Sequence, residues 1–192
     1  MTSKLLSSEE RKHAGTVHKN FFDRCKSAID QQFYLEAILL EYSAMETRLH
    51  VILGLFNMPC SLCEDTEITN RIGLQTKIRC FKNCVDNNPE FFKKSKIDRV
   101  MLSKMGKWCN SRNKRIHGLY SNTEKYEELM DRNQELAEEG YNYAYLLYNE
   151  ANRLKRLKKN HPEEFLSCKF ECFKPYDSCK QSLTWVNDHS AK

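Results

Sequence analysis

Arg112-Asn113-Lys114-Arg115-Ile116-His117-Gly118 gathers a permanent cation, an amide and a titratable imidazole in one short stretch. A guanidinium holds a phosphate in bidentate fashion and stays charged at any working pH. An imidazole takes or gives a proton near neutrality. Those are the requirements for cutting RNA through its 2′-hydroxyl: the histidine moves the proton, and the arginine meets the extra negative charge on a five-coordinate phosphorus. Such a scheme uses no metal and no cofactor. One histidine does not readily act as base and acid at once, so a symmetric second copy of the chain would supply the missing role. Arg112 and His117 are the expected catalytic groups, and Lys104, Lys107, Lys114 and Arg115 are the expected contacts to RNA.

Residues five apart on an ideal helix are rotated by about 140°, so Arg112 and His117 share a cavity only if the helix ends between them. Gly118 suits a left-handed C-cap that would turn His117 back toward Arg112. The competing reading is an ordinary basic helix terminus, with the cations in solvent and His117 capping carbonyls.

The elements that must position these groups read as helices throughout. Only six glycines and four prolines punctuate 192 residues, and no stretch alternates apolar with polar in the manner of a strand. The expected fold is all-α, an up-and-down bundle of four to five main helices over residues 1–160, with a Cys-, Phe- and Lys-rich tail over 161–192. The first helix is expected from about Ser8 to Gln31. A second, Phe33 to Phe56, carries Leu35, Ile38, Leu39, Tyr42, Met45, Leu49, Ile52 and Leu53 at three-to-four spacing. Asn57-Met58-Pro59 closes it, and a third helix opens at Asp65-Thr66-Glu67. A fourth places Ile97, Met101, Met105 and Trp108 on one face, so that Trp108 anchors the motif one turn before Arg112. The fifth runs from about Glu124 to Lys159. Its acidic start and its basic end at Arg153, Lys155, Arg156, Lys158 and Lys159 complement the helix dipole.

A net charge of +5 permits contact with nucleic acid but falls short of a coating protein. No apolar run is long enough for a signal peptide or a membrane span, so a cytoplasmic protein without membrane contact is expected. Its nine cysteines then read as reduced thiols. Cys60-x2-Cys63 followed by Cys80-x3-Cys84 carries four thiols in two close pairs, a possible zinc set. Cys80 and Cys84 also lie one turn apart in an apolar stripe, where free cysteines pack as small hydrophobes. Glu41, Glu46 and Arg48 on the second helix read either as supports for the catalytic groups or as an exposed ion-pairing face.

The segment Trp108-Cys109-Asn110-Ser111-Arg112-Asn113-Lys114-Arg115-Ile116-His117-Gly118-Leu119, inside an all-helical chain of this length, resembles the HEPN family. That family's signature is Arg, commonly Asn, a few variable residues, then His. The resemblance covers about residues 8–159 in helix order, and the motif is its specific part. It implies a bundle of four or five helices, metal-independent ribonuclease activity in toxin–antitoxin, abortive-infection or CRISPR-associated defence, and a homodimer with the motif at the interface. It also implies a partner or antitoxin protein. By the same resemblance Arg112 and His117 take the catalytic positions and Asn113 the polar supporting one. In the nucleotidyltransferase-paired toxins of the family a tyrosine stands two places after the histidine; here that place is Leu119, with Tyr120 one later. The chain is therefore not placed in that subfamily. The alternatives to an enzyme are a catalytically silent HEPN module that binds RNA or a partner protein, and a zinc-stabilised helical interaction protein.

Overall fold

Helix-forming side chains and scarce glycine produce what the sequence leads one to expect, an all-α chain. The computed structural model describes residues 20–56, 73–118 and 126–168, which hold helices and no strand. Residues 20–30 are helical (α1). They are followed by α2 (Tyr34–Leu55), α3 (Leu74–Asn87), the single turn α4 (Pro89–Phe92), α5 (Arg99–Gly118), α6 (Tyr126–Asn160) and the short α7 (Pro162–Leu166). The expected starts at Ser8 and Asp65, the Asn57-Met58-Pro59 stop, and most of the tail lie outside the described residues.

α1 ends in a Schellman motif. Gln32 takes φ 63°, and the Gln32 and Phe33 amides bond back to the Ile29 and Ala28 carbonyls at 2.9 and 2.7 Å. The chain reverses there and enters α2, whose Ala37, Ile38, Met45, Leu49 and Ile52 are wholly buried. Leu39 departs from the expected stripe, 48% exposed. One residue step turns about 100° around a helix, which carries Leu39 off the arc of Ile38 and onto the outer face.

α2 and α6 run side by side in the same direction. Tyr34 Oη donates to Gln134 Oε1 at 3.1 Å near one end, Arg48 lies 5.0 Å from the Tyr148 ring centroid further along, and Lys158 Nζ donates to the Leu55 carbonyl at the other end. Lys158 thus complements the negative end of α2. α5 runs antiparallel to α6 and to α3. The Trp108 indole N–H donates to the Leu136 carbonyl at 2.7 Å, Ser95 Oγ meets Glu150 at 2.9 Å, and Lys82 Nζ meets Ser103 Oγ at 2.9 Å. Asp98 caps α5, its Oδ1 accepting the Met101 amide at 2.7 Å. Tyr42 lies beside Gly73 and Glu46 beside Lys77, so α2 and α3 advance in the same direction. Residues 57–72, which join them, lie outside the described residues.

The tail begins as structure. α7 packs Phe165 against Phe56 and Phe91, with ring centroids 4.9 and 5.1 Å apart. Burial of Phe165 closes the core at the end where α2 stops.

Candidate functional site

Trp108 fixes the base of the site. It is fully buried, and its indole hydrogen bond to α6 leaves it no freedom to turn. One turn later Arg112 leaves α5 toward α2, and its guanidinium carbon stands 4.2 Å from the centroid of the Tyr42 ring. At that distance the cation lies in the attractive field of the ring face. Arg112 Nη1 donates to Asn113 Oδ1 at 3.0 Å, and Nε is buried without an acceptor. The asparagine expected to support the arginine therefore contacts it directly.

Around this pair the walls come from α2, α3 and α5. Burial raises the Tyr42 hydroxyl pKa, and the Glu46 charge raises it further, while a Leu74 amide and the Arg112 charge pull it down. Cys109 is raised by burial, with Arg112 opposing and Glu46 adding. Glu46 pairs with Lys77 at 3.5 Å. His50 is lowered by burial and then by the Lys77 charge, Glu46 opposing, and its Nδ1 is buried without a partner. Of the three supporting residues on α2, Glu46 is the one near Arg112.

Glu41 and Arg48 are not at the site, and neither belongs to an exposed ion-pairing face. Glu41 is 0% exposed, with no hydrogen bond at either carboxyl oxygen. Burial raises its pKa to about 9. It lies over Gly140 beside Trp108; a methyl group at Gly140 would stand 2.6 and 2.9 Å from two indole carbons and closer still to Glu41 Oε2. Arg48 is buried against the Tyr148 ring on α6, its pKa lowered by burial. The signal for both was in the spacing. Ile38, Glu41, Met45, Arg48 and Ile52 step by three or four and define one buried arc.

α5 continues without interruption from Arg99 to Gly118, which overturns the expected helix end between Arg112 and His117. Both belong to one helix, about 140° apart in rotation. The His117 side chain lies outside the described residues. Lys104, Lys107 and Lys114 are exposed and Arg115 is half-buried. Lys107 and Lys114 are turned about 140° and 160° from Arg112, behind the face that carries it, and Lys104 about 80° to the side.

Cys60 and Cys63 lie outside the described residues. Cys84 is buried, its thiol pushed up by burial and then by Cys168 and Cys80, as for a packed small hydrophobe. Among the described residues no cluster of His, Cys, Asp and Glu is arranged to hold a metal ion. None of the described helices is long and apolar enough to cross a membrane. The fold thus defines an all-helical bundle with a stacked, amide-braced arginine on its fifth helix. The chain matches no family model, no curated protein and no solved structure.

Proposed function

We propose that this protein is a metal-independent endoribonuclease of the HEPN type, acting on single-stranded RNA in anti-phage defence or as a toxin. The observation that carries the proposal is Arg112, stacked on Tyr42 and braced by Asn113. An arginine held in this way spends little side-chain freedom when it binds a phosphate. His117 removes the proton of a ribose 2′-hydroxyl. The 2′-oxygen then attacks the adjacent phosphorus, and the 5′-oxygen leaves with a proton from a second imidazole. Arg112 balances the charge of the five-coordinate intermediate. The products are a 2′,3′-cyclic phosphate and a 5′-hydroxyl. One histidine does not readily serve as base and acid at once, so the working site combines groups from two copies in a homodimer.

The test is cleavage of single-stranded RNA in EDTA with end-group analysis. The parent protein is expected to leave cyclic phosphate ends, and Arg112→Ala and His117→Ala are each expected to lose at least a hundredfold in rate while keeping their helical circular dichroism. Parent-like cutting by either variant removes that residue from the mechanism.

One observation favours a second reading, a silent module that binds RNA or a partner protein. Arg112 finds its contacts inside its own chain, as a structural arginine does. Tight RNA binding by the parent without any cleavage would select it.

A further inference from the structure

Residues 73–118 hold twelve Lys and Arg against three Asp and Glu, out of 31 and 26 in the whole chain, so the remainder is net acidic. This basic charge gathers where α3 and α5 lie against each other. Along α5, Arg99, Ser103, Lys107, Asn110 and Lys114 step by three or four, which keeps them within about 80° of one another over about 22 Å. The helix that carries them contains no acidic residue. Gln75, Arg79, Lys82 and Asp86 step in the same way along α3 and face this row. Lys82 Nζ donates to Ser103 Oγ at 2.9 Å, Asp86 stands 3.7 Å from Arg99, and a Cβ at Gly106 would lie 3.5 Å from the Gln75 amide nitrogen. Arg79, Lys107 and Lys114 are exposed and pair with no acidic group among the described residues.

Three unpaired cations on one straight ridge attract a polyanion, and its counterions are released when the phosphates are neutralised. Sites for single strands interleave aromatic rings with cations, so that the bases stack. Here the one large hydrophobic side chain exposed on α3 or α5 among the described residues is Val100. A ridge of cations, hydroxyl and amide without an exposed ring fits a backbone whose bases are already paired. We propose that the α3–α5 ridge holds the phosphate backbone of an RNA stem. Arg79 on one wall and Lys107 and Lys114 on the other meet the phosphates. The choice of RNA rests on the ribonuclease reading and narrows it. Lys107 and Lys114 are turned about 140° and 160° from Arg112, so a strand leaving the stem rounds one helix width, about 10–12 Å, to reach Arg112. The bond that is cut then lies in single strand beside a stem.

Fluorescence anisotropy of the full-length protein with a blunt RNA duplex of about 16 base pairs tests the ridge without a single strand to cleave. The comparison ligands are a DNA duplex of the same sequence and a single strand of 2′-O-methyl RNA, which has no free 2′-hydroxyl to attack. The RNA duplex is expected to bind at least about tenfold more tightly than the single strand, no more weakly than the DNA duplex, and with log affinity falling against log salt at a slope of about −3 or steeper. The combined Arg79→Gln, Lys107→Gln and Lys114→Gln variant changes only exposed side chains. It is expected to keep its helical circular dichroism, weaken the RNA duplex at least about tenfold and flatten the slope by about 3. Removing as many cations from the end of α6, by Lys155→Gln, Arg156→Gln and Lys159→Gln, should leave duplex binding within about twofold of the parent. Equal loss in the two triple variants, a single strand or DNA duplex that binds more tightly than the RNA duplex, or displacement of the duplex by polyglutamate at equal charge overturns the proposal; the last outcome would assign the ridge to an acidic protein. Should the ridge variant not fold, the ligand order, the salt slope and the polyglutamate competition of the parent decide. RNA cleavage is assayed separately. A chain that cuts single strands but ignores the duplex loses the stem site alone, whereas one that binds the duplex through the ridge and cuts no RNA loses the ribonuclease reading alone.

Discussion

Glu41 is the residue whose chemistry is most at odds with its surroundings. Its carboxyl is easier to protonate in the folded chain, where its pKa is about 9, than in the unfolded chain near 4.5. Folding therefore takes up a proton between those two values. The group's contribution is most favourable below about pH 4.5 and is lost as pH rises toward 9, by up to about 1.4 kcal/mol per pH unit. Glu41→Met removes both the titration and the unsatisfied oxygens, and is expected to stabilise the protein at pH 7 by roughly 1–3 kcal/mol. Urea unfolding at several pH values measures this. The parent and variant curves should draw together toward pH 5, and a pH-independent difference would show that Glu41 is satisfied in some other way.

At the scale of elements, two glycines make opposite predictions. Gly140 sits mid-helix in α6, where a methyl group would meet Glu41 and an indole pinned by its own hydrogen bond. Gly140→Ala is expected to lower stability by about 1–3 kcal/mol through overpacking, in spite of roughly 1 kcal/mol gained in helix propensity. Gly54 in α2 has nothing within 4 Å of the added carbon, so Gly54→Ala is expected to raise stability by about 0.5–1 kcal/mol. Thermal melts of the two variants should move in opposite directions. These helices were largely legible beforehand. α2, the fourth long helix with its Trp108 anchor, and the fifth, expected to end at about Lys159 and ending at Asn160, all follow from three-to-four spacing. What was not legible follows from residue type overriding position. A carboxylate and a guanidinium on the buried arc of α2 read as surface groups, and the helix carrying Arg112 was expected to end before His117, whereas α5 runs on to Gly118. The asparagine beside Arg112 was visible in the motif. Its partner Tyr42 was visible only as one apolar position among several, because stacking depends on how two helices cross.

For the whole molecule, the proposed composite site makes activity a property of the pair of chains. Differently tagged wild-type and His117→Ala chains, co-expressed and isolated as heterodimers, should be nearly inactive if two histidines act as base and acid. Half of the parent activity would show each chain working alone. The in-phase run of α2 along α6 has another consequence, for how such a chain can change length. Tyr34 meets Gln134, Glu41 meets Gly140, Arg48 meets Tyr148 and Leu55 meets Lys158, a near-constant offset kept from end to end. Inserting or deleting one residue in the middle of either helix would rotate everything beyond it by about 100° and mismatch half of those pairs at a stroke. Evolution and engineering alike can therefore alter this chain's length where helices join, but along α2 and α6 it is free to change only letters.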